Sequence, residues 1–181
     1  MIWIILGVVV LLVVVLVLFY NRLVRLRNRV ENAWAQVDVQ LKRRYDLIPN
    51  LVETVKGYAS HERETFDAVT NARAAAQSAT GPAEQGAAEG LLSAALGRLI
   101  AVAEAYPELQ ADENFRQLQE ELAQTENRIA VSRQVYNDTV LTYNTAIQTV
   151  PGVFFAGPFG FTKRDFFEAE DATREAPRVA F

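Results

Sequence analysis

The chain has 181 residues, half of them hydrophobic, and a formal net charge of −4, which leaves room for one membrane anchor and one modest domain. With no cysteine and a single histidine, it cannot assemble a usual zinc or thiol site. Its basic residues are not interleaved with stacking aromatics and no groove-binding motif occurs, so nucleic acid is not an expected partner.

The first element is an apolar run from Ile2 to Phe19 that contains no charged or strongly polar side chain. A helix of about 18–20 residues rises roughly 27–30 Å, which matches the hydrocarbon thickness of a bilayer. A cleaved signal peptide is the alternative, but no basic region precedes the run and no small-residue cleavage site follows it. We therefore expect residues 1–20 to form a single, uncleaved transmembrane anchor.

Four arginines, which we call the arginine neck, follow the anchor directly. Because basic residues accumulate on the cytoplasmic side of a span, they predict an N-terminus outside and a cytoplasmic domain. They would also lie at anionic lipid head groups, at about 1 kcal/mol each, unless they only set the topology. The absence of cysteine agrees with a reducing compartment. The neck consists of Arg22, Arg25, Arg27 and Arg29.

Apolar residues recur at steps of three and four from Asn21 to Tyr58, which predicts a helix that continues the anchor. Pro49 lies inside this pattern and removes a hydrogen bond to the carbonyl four residues back. Either the helix kinks there, or Asp46 caps a new helix with Pro49 in its first turn. A kink could be a fixed bend or a hinge, and both interpretations stay open.

Two shorter helices are predicted next, at about residues 61–79 and 83–105. Ser60 is the expected N-cap of the first. The small and polar segment between them contains Gly81-Pro82, a strong helix breaker.

The fourth predicted helix begins after Asp112 and ends at Pro151-Gly152. Large side chains recur every seven residues, and mostly small or polar ones occupy a second seam, which is typical of left-handed helix packing. The first seam is Phe115, Leu122, Ile129, Tyr136, Tyr143 and Val150, and the second is Leu118, Thr125, Ser132, Thr139 and Ala146.

The helix lengths predict the architecture. The first cytoplasmic helix and the fourth each have about 38 residues, or about 57 Å, and the middle two about half that. We therefore expect an all-α protein in which residues 21–150 form an elongated antiparallel helical bundle of two long and two short helices. Its membrane-proximal half would contain only two helices, so something else should cover their apolar stripes.

Two Tyr-Asn pairs lie one heptad apart on the fourth helix, in the half of the bundle that we expect to be under-covered. Internal hydrogen bonds that fix helix register are one interpretation, and recognition of a partner is the other. With two apolar residues of the first helix, the pairs form a candidate surface for a protein partner or a second copy. This candidate surface consists of Leu26, Val30, Tyr136, Asn137, Tyr143 and Asn144.

The tail, residues 151–181, is rich in glycine and phenylalanine, and its Gly and Pro residues argue against a long helix. Disordered tails are poor in aromatics, so we expect this one to pack on the bundle, on the lipid interface or on a partner. The tail residues expected to make this contact are Phe154, Phe155, Phe159, Phe161, Phe166 and Phe167.

Residues that could carry catalysis are scarce. His61 has no cysteine or second histidine beside it, and neither a Gly-rich phosphate loop nor a serine with a histidine–acid pair occurs. Carboxylates such as Glu120 and Glu126 lie on the heptad-patterned helix, where solvated faces are the usual explanation. We therefore expect no enzyme, no cofactor or metal, and no small-molecule substrate.

Longer motifs occur in order along the chain: ENAW at 31–34, RYDLIPNLV at 44–52, VKGYA at 55–59 and TENRIA at 125–130. Together with the anchor, the Tyr-Asn pairs, Pro-Gly at 151–152 and the Phe-rich end, they resemble the LemA family over nearly the whole chain. The resemblance implies a single-pass protein of the bacterial inner membrane with an outward N-terminus and an antiparallel helical bundle. It implies no reaction and no catalytic residues.

These observations predict a membrane-anchored, non-enzymatic scaffold or adaptor of the bacterial inner membrane, which presents a helical bundle to protein partners or to itself. The alternative is a self-assembling, lipid-binding or membrane-shaping protein that uses the arginine neck and the Phe-rich tail. Membrane lipid and either a protein partner or a homo-oligomer are the expected partners.

Overall fold

A computed structural model of the chain describes residues 1–168, which contain six α-helices and no strand. The all-α fold with an apolar N-terminal helix is thereby confirmed, while residues 169–181 of the predicted tail lie outside the described part. The helices are α1 (Ile2–Tyr58), α2 (Arg63–Ser78), α3 (Pro82–Glu104), α4 (Pro107–Ala111), α5 (Glu113–Gln148) and α6 (Gly152–Ala156).

The chain divides into two compact units, each built from two separate stretches of sequence. Unit 1 comprises residues 1–39 and 130–166, and unit 2 comprises residues 40–129 together with residues 167 and 168 at the end of the described part. The two long helices, α1 and α5, each contribute to both units.

Within residues 1–168, two helices are long and apolar enough to cross a membrane, by length and composition. In α3 nearly half of the apolar stretch is buried inside unit 2, as expected for a core helix. None of the 18 most apolar consecutive residues of α1, near its N-terminus, is buried, so this run is the candidate membrane span. The chain is accordingly a membrane protein, and α1 continues from the span to Tyr58 without a break.

Pro49 lies inside α1, so the helix does not restart there and Asp46 caps no new helix. The residue four positions before Pro49 is Tyr45, whose carbonyl loses its intrahelical donor because proline has no N–H. The Nε–H of Arg73, on α2, donates to this carbonyl at 2.8 Å. A side chain from a neighbouring helix therefore supplies the hydrogen bond that Pro49 removes.

The starts of α5 and α3 agree with the sequence-based prediction, and the start of α2 differs from it. Asp112 accepts from the backbone N–H of Phe115 at 2.9 Å, as expected of the N-cap of α5. α3 begins with Pro82 after Gly81, whose φ of 83° favours glycine. Ser60 is not the N-cap of α2, because that helix begins two residues later than predicted and Glu62 occupies the position.

The predicted heptad seam of α5 is buried at four of its six positions: Phe115, Ile129, Tyr136 and Tyr143. Val150 is exposed because α5 ends two residues before it. Leu122 is only half-buried because it lines an open cleft in unit 2. The heptad spacing therefore identifies the inner face of α5 but not how far that face is covered.

Candidate functional sites

An extended segment of the tail, residues 161–166, packs in unit 1 and accepts hydrogen bonds from α5. The Tyr143 hydroxyl donates to the carbonyl of Thr162 at 2.9 Å, and the Tyr136 hydroxyl donates to that of Asp165 at 2.8 Å. Backbone groups of the tail thus serve as the acceptors that buried tyrosine hydroxyls require.

Asn144 makes a two-way connection with the same segment. Its Nδ2 donates to the carbonyl of Arg164 at 2.8 Å, and its Oδ1 accepts from the backbone N–H of Arg164 at 2.9 Å. A side-chain amide can satisfy one backbone donor and one backbone acceptor at once. Asn144 therefore fixes the register of the tail against α5.

The tail supplies the cover that we expected the two-helix half of the bundle to need. In the candidate partner surface, Asn137 is half-buried and the other five residues are buried in unit 1. Of the two interpretations of the Tyr-Asn pairs, this burial favours internal hydrogen bonds that fix helix register, and recognition of a partner by these residues stays a prediction. The five buried residues are Leu26, Val30, Tyr136, Tyr143 and Asn144.

Burial changes the chemistry of both tyrosines. It raises the pKa of Tyr136 to about 12, and it also raises the pKa of Tyr143. Both hydroxyls therefore stay protonated, as hydrogen-bond donors, far above neutral pH. The Trp34 ring lies 5.2 Å from that of Tyr136 and closes this core.

Aromatic rings join the tail to the end of the apolar run of α1. The ring centroids of Phe155 and Phe19 are 6.1 Å apart, and those of Phe159 and Tyr20 are 5.3 Å apart. Phe161 is buried, with its ring 5.7 Å from that of Tyr20. These distances suit the tilted and edge-to-face pairs that aromatic rings prefer.

The arginine neck takes part in this cluster at two positions. The Arg27 guanidinium lies over the Phe161 ring at 5.5 Å, and that of Arg22 lies over Phe19 at 6.0 Å. Arg25 and Arg29 are exposed. The neck therefore combines cation–π contacts with free positive charge.

The six tail phenylalanines fall into three groups. Phe161 and Phe167 are buried, Phe155 and Phe166 are half-buried, and Phe154 and Phe159 are exposed.

Unit 2 contains a buried charged network that joins α1 to α3. The Arg44 guanidinium pairs with Glu89 at 2.9 Å and donates to the Ser93 hydroxyl at 2.8 Å. Glu89 also accepts from the Tyr45 hydroxyl, and Gln85 donates to that hydroxyl at 2.8 Å. Burial and the hydrogen bond to Glu89 hold the pKa of Tyr45 well above its usual range.

An open cleft of about 390 Å³, which we call the α3–α5 cleft, lies beside this network in unit 2. Its apolar lining comes from both helices, and Arg44, Ser93 and Glu126 lie at one side, where Glu126 pairs with Arg44 at 3.2 Å. A second hollow of about 490 Å³ shares Ile100 and Gln119 with it. The apolar lining of the cleft is Leu96, Gly97, Ile100, Leu122 and Ala123.

This network was not predicted, although the sequence of α3 carries a signal for it. Gln85 and Glu89 continue the three- and four-residue spacing of the buried residues Leu92, Leu96 and Leu99. Polar residues on an apolar stripe indicate buried hydrogen bonding, because leaving such groups without partners is costly.

Among residues 1–168, no group of three or more His, Cys, Asp or Glu side chains is arranged to hold a metal ion. The features that stand out in this part of the chain are an apolar span, an aromatic and arginine-rich cluster at its end, and an open cleft. Together they define a membrane-anchored helical-bundle protein.

Comparison with known proteins specifies the family. The sequence pattern of the LemA family matches residues 33–181, and the chain belongs to that family. The resemblance seen in the motifs is thereby confirmed.

Three relatives illustrate the range of similarity. Magnetosome protein MamQ 2 of Paramagnetospirillum magneticum is 28% identical over 190 residues, which cover 91% of this chain and 70% of the relative. Magnetosome protein MamQ of Magnetospirillum gryphiswaldense is 28% identical over 183 residues, or 87% of this chain and 67% of the relative. Protein LemA of Metamycoplasma hominis is 26% identical over 133 residues, which cover 71% of this chain and 59% of the relative.

Proposed function

We propose that the protein is a non-enzymatic scaffold or adaptor of the bacterial inner membrane, which holds a protein-binding helical domain at the membrane surface. The observation that carries this proposal is the α3–α5 cleft in unit 2. Because α1 contains the span and also contributes Arg44 to the cleft lining, one helix connects the membrane anchor to the proposed docking site.

The lining of the cleft favours a helical protein segment as the bound partner. Open apolar grooves between helices commonly accept an amphipathic helix, whose apolar side chains enter at a spacing of three and four residues. Leu96, Ile100 and Leu122 offer the apolar contact, and Glu126 and Gln119 offer polar contacts beside it. Arg44 is already paired with Glu89 and Glu126, so it shapes the site more than it attracts an anion.

The topology in this proposal rests on the arginine neck. Basic residues flank the span on the side of the helical domain, which supports a single-pass protein with its N-terminus outside and its domain in the cytoplasm. Two of the relatives are named magnetosome proteins, and their similarity supports a role at a membrane.

Photo-crosslinking in native membranes tests the proposal. A photo-reactive amino acid replaces Leu122, which lines the cleft, in the full-length chain. The matched control carries the same amino acid at Gln124, which is exposed on the same helix and does not line the cleft. We expect a discrete adduct from position 122 that is absent from position 124.

A second substitution makes the result specific. Ile100→Arg places a charge in both hollows and should abolish the adduct, while circular dichroism should show unchanged helix content because Ile100 is only half-buried. An adduct with a different protein supports an adaptor, and an adduct between two copies supports a self-assembling scaffold. Equal labelling from positions 122 and 124 would contradict a docking site in the cleft.

A further inference from the structure

Four large apolar side chains are exposed within ten residues of one another in unit 1, around the short helix α6. Phe154 is 68% exposed and Val150 is 74% exposed. Single exposed apolar residues are ordinary, but a contiguous group usually marks a contact surface. We call this group the apolar ledge: Val150, Val153, Phe154 and Phe159.

The backbone holds the ledge in a defined position. A Cβ at Gly152 would collide with the carbonyl of Ala146, so glycine allows α6 to lie directly against the end of α5. After α6, the N–H of Phe161 donates to the carbonyl of Ala156 at 2.8 Å. Phe161 itself is buried. The exposed side chains therefore stand on a packed turn.

The ledge lies beside the end of the candidate membrane span. Phe155, next to Phe154, has its ring 6.1 Å from that of Phe19, the last residue of the apolar run. Phe159 of the ledge contacts Tyr20, with ring centroids 5.3 Å apart. At the other end of the run, Trp3 lies about 25 Å from Tyr20 along the helix axis. Aromatic residues collect at both interfaces of a bilayer, so Tyr20 and the ledge lie at interface depth.

The charges beside the ledge suit the same surface. Arg22, Arg25 and Arg29 of the neck are exposed within three helical turns of Phe19. Exposed basic residues next to apolar side chains are the combination that binds an anionic lipid surface. A protein partner would find the same arginines, but it would have to replace the lipid that surrounds the end of the span.

We propose that the apolar ledge inserts into the bilayer that α1 spans, as a second, in-plane membrane contact on the side of the arginine neck. The occupant of this surface is anionic lipid, with the ledge side chains at the boundary between head groups and acyl chains. The contact would fix the base of unit 1 on the membrane and add area to one leaflet only. It does not depend on whether the α3–α5 cleft binds a partner.

The absence of cysteine in the sequence allows a direct test with single labels. Phe154→Cys and Val131→Cys are each labelled with an environment-sensitive fluorophore in the full chain. The labelled chains are reconstituted in vesicles of phosphatidylethanolamine and phosphatidylglycerol. Val131 is the matched control, since it is 64% exposed in the same unit. It lies about 26 Å before the end of α5 along the helix axis.

We expect the label at position 154 to emit at shorter wavelength and to be quenched by lipids that carry a nitroxide on the acyl chain, while the label at 131 is not quenched. Quenching should persist when the protein is diluted with lipid. Equal, weak quenching at both positions would overturn the proposal. A blue-shifted label at 154 that lipid does not quench and that reverts on dilution would also overturn it, because the ledge would then pack on a second copy.

A charged substitution provides an independent readout. Val153→Asp with Phe154→Asp should move a label at position 159, introduced by Phe159→Cys, to longer wavelength and reduce its quenching by lipid. All three side chains are at least 43% exposed, so the fold should tolerate these changes. Unchanged quenching at position 159 in a chain of normal helix content would contradict insertion of the ledge.

Discussion

Both units bury polar groups, but these groups have different hydrogen-bond partners in the two units. In unit 1, two tyrosine hydroxyls and the amide of Asn144 bond to the backbone of residues 162–165. In unit 2, Arg44 and Glu89 are buried as charged groups among further side chains. The partners are neutral backbone groups in the first case and ionised side chains in the second.

This difference determines how each unit responds to the loss of one group. A hydrogen bond between neutral groups contributes about 0.5–1.5 kcal/mol to the free energy of unfolding, and its loss leaves an uncharged polar group without its partner. Removal of one member of a buried ion pair leaves a charge in a region of low dielectric, which costs much more. Unit 2 should therefore depend on its whole network, whereas unit 1 should lose stability in small steps.

The largest expected effect comes from Arg44→Met, which leaves Glu89 charged, buried and without its cation. We expect the free energy of unfolding to fall by about 3–5 kcal/mol. Thermal or denaturant unfolding of the full chain in detergent, followed by circular dichroism, measures this change. Unfolding need not be two-state across both units, so the transition of unit 2 has to be resolved.

The double variant Arg44→Met with Glu89→Leu is the control for this prediction. Because both charges are then absent, much of the lost stability should return. Tyr45 and Gln85 would keep their mutual hydrogen bond. If the double variant were as unstable as the sum of the two single variants, the charged pair would not be the cause.

In unit 1, Asn144→Ala removes both hydrogen bonds to Arg164. We expect a loss of about 2 kcal/mol and faster hydrogen exchange at the amide of Arg164, which loses its acceptor. Thr142→Ala is the matched control, because Thr142 is exposed and its hydroxyl donates to the carbonyl of Asp138 on its own helix. Equal exchange at Arg164 in both variants would show that Asn144 does not hold the tail.

Pro49 and Arg73 offer a smaller test, within unit 2. Arg73→Met should cost about 1–2 kcal/mol, because the Tyr45 carbonyl that Pro49 leaves without a donor loses its replacement. In a Pro49→Ala background the helix can bond to this carbonyl itself, so Arg73→Met should then cost less. A double-mutant cycle measures the difference, and strict additivity would refute the compensation.

The sequence was sufficient for the four longer helices because their signals are local: apolar periodicity, Gly81-Pro82 and the Asp112 cap. The short helices α4 and α6 were not predicted. It was not sufficient for the cover of unit 1, which depends on backbone carbonyls of the tail, and backbone groups have no sequence signature. Burial of Tyr136 and Tyr143 followed from their heptad spacing, but not the identity of their acceptors. The Arg73 bond joins residues 28 positions apart, so no periodicity could indicate it.

The smallest change at neutral pH is expected for Tyr136 in unit 1, where stability also depends on pH. The folded-state pKa of Tyr136 is raised from 10.0 to about 12, chiefly by burial. A raised pKa means that the folded protein keeps a proton that the unfolded chain releases. The stabilisation is therefore complete below pH 10 and is lost as the pH rises from 10 through about 12.

Tyr136→Phe separates the hydrogen bond from the titration. At neutral pH the variant should be less stable by about 1 kcal/mol, since the Asp165 carbonyl loses its donor. Above pH 10 only the unsubstituted chain has this proton to lose, and a pKa difference of about two units is worth about 2–3 kcal/mol. Its advantage over the variant should therefore shrink above pH 10 and reverse before pH 12. Tyr45 and Tyr143 titrate in both chains and cancel in the difference. A gap that stayed constant from pH 7 to pH 12 would mean that Tyr136 titrates alike in the folded and unfolded chains, and that its burial in unit 1 is not maintained in solution.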